Sequence, residues 1–260
     1  MRKIIALAVA GLMAIAAVAV ATGPQENAYG VSGSVSPTNS GTKKKPTPSS
    51  LKFGYTVDEK SGRRPALINK YNIHFAGMQV NTNLFPKCSA ESIDAQQSDA
   101  HCPKGSLMGT GYVKNATGAT ADDTDRSLAC YLTLKLYNQG DNGAAIYLHG
   151  EQKPAGAADP QNCPLAVDKA IDASFVRNPT GTALQFTVDQ TLLNPAPGFD
   201  NAVIEVSSTV RKATKKVKGK TRGWFESIGG CKNKKRAITV TFTPISGATQ
   251  KVQKLVPCTP

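Results

Sequence analysis

The sequence consists largely of short runs of β-forming residues separated by turn-forming residues, and no other feature constrains the fold as much. In residues 131–137, Leu132, Leu134 and Leu136 share one face while the alternate positions are polar, which is typical of an antiparallel strand with one solvated face. Similar runs predict strands at 51–57, 71–75, 79–81, 107–113, 128–137, 144–149, 173–176, 183–188, 202–210, 237–243 and 251–257. The pattern therefore predicts an all-β protein.

Turn and helix signals complete this fold prediction. Residues 138–143 end in Asn-Gly, which supplies the positive φ angles of a tight hairpin turn between two predicted strands. Residues 89–98 alone suggest a helix, which is short and begins with Ser89 as a capping residue. About ten strands with one short helix favour an antiparallel β-sandwich, of which a jelly roll is one form, and a closed barrel is the alternative.

The first 21 residues read as a secretory signal peptide. A basic start is followed by an uncharged apolar run at 4–21 that ends in Ala19-Val20-Ala21, a small-x-small cleavage pattern. An uncleaved membrane anchor is the alternative, because eighteen apolar residues lie at the lower limit of a bilayer span. We expect the protein to be secreted or associated with the cell envelope, and to meet a membrane only through this segment before cleavage.

Residues 22–50 are predicted to be a flexible segment rich in Ser, Thr, Pro and Lys. The stretch 36–50 has three prolines and no apolar residue, so it offers no side chain that would bury surface. A single β-sandwich domain is accordingly expected at 51–260.

Six cysteines follow the predicted signal peptide, and this even count in an exported chain predicts three disulfides. Six cysteines allow fifteen connectivities. The pairing of nearest neighbours is preferred because it closes the shortest loops, and it joins Cys88 to Cys102, Cys130 to Cys163 and Cys231 to Cys258. No Cys-x-x-Cys pair or zinc-finger spacing occurs, so no metal site is predicted.

The positive charge of the chain, +13 in total, is concentrated in one segment. Residues 211–236 contain eleven basic residues and one acidic residue, with Trp224, the only tryptophan of the chain, near the middle. A basic loop with an aromatic tip is suited to an anionic polymer of the cell envelope or an extracellular polysaccharide. The predicted contact residues are Lys215, Lys216, Lys218, Lys220, Arg222, Trp224, Lys232, Lys234, Lys235 and Arg236.

A second interpretation of this segment remains open. A large aromatic residue in a β domain usually belongs to the core, which would leave the lysines with no role beyond keeping the surface soluble. Nucleic acid is disfavoured as a partner because an exported protein rarely meets it. The oligomeric state is not specified by the sequence.

No catalytic residue and no cofactor is predicted. The nucleophile motif Gly-x-Ser-x-Gly is absent, and each of the three histidines stands alone in or beside a predicted strand. Asp122, Asp123 and Asp125 lie in one loop, where three carboxylates would suit Ca²⁺ but are more often capping groups in a solvated turn. We therefore predict a non-enzymatic protein. The alternative is a secreted carbohydrate-active hydrolase on a jelly-roll scaffold, which requires two facing carboxylates.

Two sequence stretches carry a family resemblance. Asn83-Leu-Phe-Pro-Lys-Cys88 followed by Cys102-Pro-Lys-Gly-Ser-Leu-Met-Gly-Thr-Gly111, together with Ser227-Ile-Gly-Gly-Cys231, resembles a signature of uncharacterised exported proteins of actinobacteria. The resemblance covers 51–258. It implies secretion, disulfides and a β-rich domain, and it implies no activity.

Overall fold

The computed structural model describes residues 25–152, 163 and 165–260. The predicted signal peptide at 1–21 lies outside these residues. Within the described part of the chain, no helix has both the length and the apolar character needed to cross a bilayer.

The described chain is almost entirely antiparallel β-structure, with two short α-helices. The elements are β1 (Asn27–Ser36), β2 (Thr47–Pro48), β3 (Ser50–Glu59), β4 (Ile68–Ala76), β5 (Met78–Val80), α1 (Ala90–Gln96), β6 (Leu107–Ala119), β7 (Leu128–Gly140), β8 (Gly143–Gly150), β9 (Val167–Asn178), β10 (Gly181–Thr187), α2 (Gln190–Leu193), β11 (Phe199–Val210), β12 (Thr214–Val217), β13 (Lys220–Gly223), β14 (Phe225–Ser227), β15 (Lys235–Pro244) and β16 (Gln250–Pro257). The all-β prediction is confirmed.

Eleven strands form one large sheet in the order β1-β3-β11-β6-β7-β8-β9-β10-β4-β15-β16. The sheet curls until its two edge strands, β1 and β16, contact each other. It therefore encloses one core, in an arrangement between a sandwich and a closed barrel. A two-stranded sheet, β12-β13, and a three-stranded sheet, β2-β14-β5, complete the fold.

The core follows the predicted period-two pattern. Leu132, Leu134 and Leu136 of β7 are all buried and belong to the main apolar cluster. Phe225 of the three-stranded sheet and Leu192 of α2 are buried in the same cluster. The large sheet thus packs against both smaller elements through one continuous apolar interior.

The domain begins earlier than predicted, because strands β1 and β2 lie before residue 51 and pair with β3 and β14. The expectation of a flexible segment at 22–50 is wrong for this part. Strand β1 pairs with β3 along its whole length from Asn27 to Ser36, and the ring of Tyr29 stacks on that of Phe242 with centroids 4.2 Å apart. Val35 belongs to the main apolar cluster and Val31 packs against it, while the strand pairing satisfies the backbone groups.

The three predicted disulfides are confirmed as Cys88–Cys102, Cys130–Cys163 and Cys231–Cys258. Helix α1 also lies where the sequence predicts it, and the hydroxyl of Ser89 accepts a hydrogen bond from the backbone N–H of Ser92 at its N-terminus. The predicted hairpin is the turn between β7 and β8, where Asp141 and Asn142 have positive φ angles.

Candidate functional site

The centre of the basic segment folds as a two-stranded hairpin. Strands β12 and β13 pair so that Lys215 lies opposite Arg222 and Val217 lies opposite Lys220. The turn consists of Lys218 and Gly219, whose φ angles are +48° and +75°. Because directly opposite residues share a face of an antiparallel pair, Lys215, Lys220 and Arg222 point to one side of the hairpin and Lys216 points to the other.

Most basic side chains of this region are exposed, and the exposed ones carry no ion pair within the described chain. Nine of the eleven are exposed, and the exceptions are Arg222 and Arg236. No described carboxylate lies within salt-bridge distance of any of these nine, which are Arg211, Lys212, Lys215, Lys216, Lys218, Lys220, Lys232, Lys234 and Lys235. Their charge is therefore available to an external anion.

Glu226, the one acidic residue of the segment, is fully buried at the base of the hairpin. Its carboxylate accepts hydrogen bonds from Arg222 at 2.9 and 3.0 Å and from the backbone N–H of Gly223 at 2.7 Å. Gln79 and Asn81 donate to the same carboxylate. Burial raises the pKa of Glu226, but these hydrogen bonds outweigh it and hold the pKa below its ordinary value.

Arg222 is therefore a structural residue of the hairpin base, which corrects its assignment as a free contact residue. Its guanidinium is half-buried and is bound to the carboxylate of Glu226. This pairing also removes the repulsion that Arg222 would otherwise exert on Lys215 across the strand pair. The ion pair of Arg222 thus holds the hairpin at its base, and the lysines of the hairpin are exposed to solvent.

Trp224 is buried, so the prediction that it contacts a polymer is wrong. Only 1% of its surface is exposed. The indole Nε1–H donates to Oδ1 of Asn138 at 2.9 Å, and the ring packs edge-on against Phe175. The alternative interpretation of the sequence, a core aromatic beneath a basic surface, is the one the structure shows. A buried indole gains both apolar burial and a hydrogen bond, and an exposed tip offers neither.

Arg236 is also buried, which removes it from the predicted contact residues. Its guanidinium donates to Oγ of Ser227 at 2.5 Å and to Sδ of Met78 at 2.8 Å. Burial lowers the pKa of this guanidinium. Side chains of β15 alternate between the two faces of the sheet, so Arg236 lies on the same inward face as the core residues Ile238 and Val240. This position explains why it is buried.

Three lysines of the segment predicted to be flexible lie at the same end of the molecule as the hairpin. Lys43, Lys44 and Lys45 occupy a turn, and the chain after it forms β2, which pairs with β14 and contacts β13. Before the turn, Asn39 forms an isolated β-bridge with Thr259. The preceding residue, Cys258, donates its backbone N–H to the carbonyl of Lys234. We name Lys43, Lys44, Lys45 and the nine exposed basic residues of 211–235 the basic end.

The acidic loop is occupied by contacts of its own. Oδ1 of Asp122 accepts hydrogen bonds from Thr124, and Oδ2 of Asp123 pairs with Arg63 at 2.8 Å. The carboxylate of Asp125 accepts from the backbone N–H groups of Ala119 and Ser127, which lower its pKa to about 2. Each carboxylate thus serves a different partner, as expected of a turn stabilised by its own aspartates.

One group of side chains in the described chain has the spacing of a metal site, and it contains a disulfide. The ligand atoms of Cys88, His101 and Cys102 lie within 4.8 Å of one another. Both sulfur atoms are joined in the Cys88–Cys102 bond, so neither is a thiolate available to a metal. Nε2 of His101 lies 2.8 Å from Oγ of Ser92, but no described carboxylate orients the imidazole as a serine nucleophile would require.

A polar groove of about 840 Å³ lies against β4, β9, β10 and β15. Three aspartates line it, and all are engaged. Asp94 accepts from Lys169 and from the backbone N–H of Ala170, both at 2.6 Å, and Asp172 accepts from Gln139 at 2.8 Å. Asp189 caps α2, and the hydrogen bonds from Thr191 lower its pKa. A glycosidase requires a carboxyl group that remains protonated, and this environment does not favour one at Asp189.

The geometry defines a disulfide-bonded antiparallel β protein with one strongly basic end. No protein-family model, curated protein or solved structure matches the chain. The resemblance to exported actinobacterial proteins therefore stays a prediction.

Proposed function

We propose that this is an exported, non-enzymatic protein that binds an anionic polymer of the cell envelope, or an acidic extracellular polysaccharide, through its basic end. The observation that carries the proposal is the hairpin β12-β13, which presents Lys215, Lys216, Lys218 and Lys220 without a described carboxylate partner. The three disulfides are consistent with an oxidising, extracellular environment.

The arrangement suits a polymer better than a small anion. A small anion is usually held in a concave site by converging donors, whereas these lysines point to both faces and to the turn of a hairpin. A polymer with a charge on every repeat can follow such a surface, and the release of its counterions contributes to the affinity. Because Trp224 and Arg236 are buried, binding through lysines is expected to depend on charge and not on ring stacking.

The test compares two charge-matched variants of the mature chain. In the hairpin variant, Lys215, Lys216, Lys218 and Lys220 become Gln. In the control variant, four exposed lysines outside the basic end, Lys60, Lys70, Lys104 and Lys251, become Gln, so that both variants lose the same net charge. Columns of immobilised poly(glycerol phosphate) and polygalacturonate present phosphate and carboxylate polymers respectively.

We expect the wild-type chain and the control variant to be retained at low salt on at least one of the two polymers, and the hairpin variant to elute early. Equal retention of the two variants would show that net charge alone is responsible and would refute a site at the hairpin. A wild-type chain that passes through both columns at low salt would refute polymer binding altogether.

The hydrolase alternative has less support. It rests on the polar groove, whose three carboxylates are occupied by Lys169, Ala170, Gln139 and Thr191. Substitution of Asp172 by Asn in an assay for reducing-sugar release would test it, since hydrolysis that depends on this residue would favour an enzyme.

A further inference from the structure

An apolar cavity lies inside the curled sheet, and no residue of the basic end lines it. Its volume is about 110 Å³, and strands β3, β4, β6, β7, β8, β9, β10 and β11 all contribute to its wall. Helix α2 adds Leu192 and Leu193, both buried. Most wall residues are aliphatic or aromatic, so the space is unfavourable for water.

Two wall residues have a buried polar atom without a hydrogen-bond partner in the described chain, Oη of Tyr71 and Oδ1 of Asn115, and of these two atoms the amide oxygen of Asn115 can only accept a hydrogen bond. The side chain of Asn115 on β6 is 2% exposed, and its Oδ1 is buried with no hydrogen-bond partner in the described chain. An unsatisfied buried acceptor destabilises the folded chain, and an apolar residue of the same shape would avoid this cost. Asn201, the other amide of the wall, differs because it accepts from Thr117 at 2.7 Å and donates to the carbonyl of Leu192 at 2.9 Å.

The strand next to Asn115 is irregular. Asn115 pairs with Val203 of β11, and the register between β6 and β11 shifts between Val203 and Glu205. Irregularities of this kind often re-aim side chains beside binding sites. Asn115 therefore lies on the wall of the apolar cavity and has a side-chain oxygen that receives no hydrogen bond.

We infer that the cavity binds a small, mostly apolar molecule that has one hydroxyl group, with the hydroxyl donating a hydrogen bond to Oδ1 of Asn115. The cavity is somewhat smaller than the dry cavity of about 150 Å³ that holds benzene, so a single small ring is the largest ligand that we expect. A phenol or a short-chain alcohol is the chemical class. The inference is independent of the proposed polymer binding, since no residue of the basic end lines the cavity.

The test uses phenol and toluene, two probes of equal heavy-atom number of which only phenol donates a hydrogen bond. Calorimetry with the disulfide-bonded mature chain measures both dissociation constants for the wild type and for Asn115→Leu. We expect the preference for phenol over toluene to fall by about 3–10-fold in the variant, as the loss of one hydrogen bond predicts. The variant is also expected to be at least as stable as the wild type, because it removes an unsatisfied polar group.

Two cavity-filling variants, Val113→Phe on β6 and Ile146→Phe on β8, locate the binding. Each adds a ring to a different part of the wall, so that a folding defect in one leaves the other as a test. In the folded variants, binding of both probes is expected to be lost. Three results would overturn the inference: neither probe binds the wild type, binding survives in a folded filled variant, or the phenol preference is the same in Asn115→Leu as in the wild type.

Discussion

Arg222 donates to both carboxylate oxygens of Glu226, at 3.0 and 2.9 Å, and this ion pair joins the basic hairpin to the buried three-stranded sheet. The carboxylate has no exposed surface and also accepts from Gly223, the last residue of β13. The orientation of the lysines therefore depends on a residue of opposite charge that an external ligand cannot reach.

Glu226→Gln is expected to destabilise the protein by about 3 kcal/mol, because removing one partner leaves the half-buried guanidinium of Arg222 without its anion. Urea unfolding, followed by tryptophan fluorescence, measures the loss. Glu205→Gln serves as a control, because its pair with Lys114 is partly exposed and contributes at most about 1 kcal/mol. Equal effects of the two substitutions would contradict the structural role of Glu226.

Acid unfolding is expected to depend on Glu59. Burial raises the pKa of Glu59, but hydrogen bonds from Ser61, Arg63 and the backbone outweigh it and lower the pKa to about 2. A carboxyl group whose pKa is lower in the folded state than in the unfolded state stabilises the folded state at pH values above its unfolded-state pKa, which is near 4.5. This stabilisation is lost as the pH falls toward 2.

The slope of unfolding free energy against pH between about 4.5 and 2 is therefore expected to be shallower in Glu59→Gln, by at most about 1.4 kcal/mol per pH unit. Chemical unfolding at several pH values measures this slope. Identical slopes in the two proteins would show that Glu59 is not responsible.

The Cys231–Cys258 disulfide is expected to contribute about 3.5 kcal/mol, as the chain-entropy argument gives for a loop of this size. It fixes the end of β16 next to the turn that carries Lys232 and Lys234. The double variant Cys231→Ser/Cys258→Ser, unfolded in urea without reductant, measures the contribution. A loss below about 1 kcal/mol would indicate that strand pairing between β15 and β16 alone holds this end.

Trp224→Phe separates stability from binding. The variant loses the hydrogen bond to Asn138 and leaves its Oδ1 buried, which is expected to cost about 2 kcal/mol. Because the ring is not exposed, the affinity for an anionic polymer should remain within about twofold of the wild type. A large loss of affinity in a folded variant would show that Trp224 contributes to polymer binding, which contradicts this account.

The sequence was sufficient for the features that depend on local pattern. The alternation of Leu132, Leu134 and Leu136 predicted a strand with one buried face, and the spacing of the cysteines favoured the observed pairing. Both follow from short-range geometry and loop length, which a sequence displays directly.

Features that depend on distant partners could not be predicted in this way. Residues 27–36 have an alternation of their own, with Tyr29, Val31 and Val35 on one face, but the strand depends on the hydrogen bonds that β3 provides. The burial of Trp224 depends on Asn138 and Phe175, which lie far away in the sequence. For the same reason the sequence did not predict that Lys43, Lys44 and Lys45 lie beside the hairpin. Their position is set by the pairing of β2 with β14.

The salt dependence of polymer affinity tests the central claim most directly. For the wild type, the hairpin variant and the control variant, the dissociation constant for the retained polymer is measured over a range of NaCl concentrations. Each lysine that contacts a phosphate contributes about 0.7 to the slope of log Kd against log salt for a flexible polyanion. We predict a slope lower by about 3 in the hairpin variant and an almost unchanged slope in the control variant, whereas equal slopes in all three proteins would contradict binding through the hairpin.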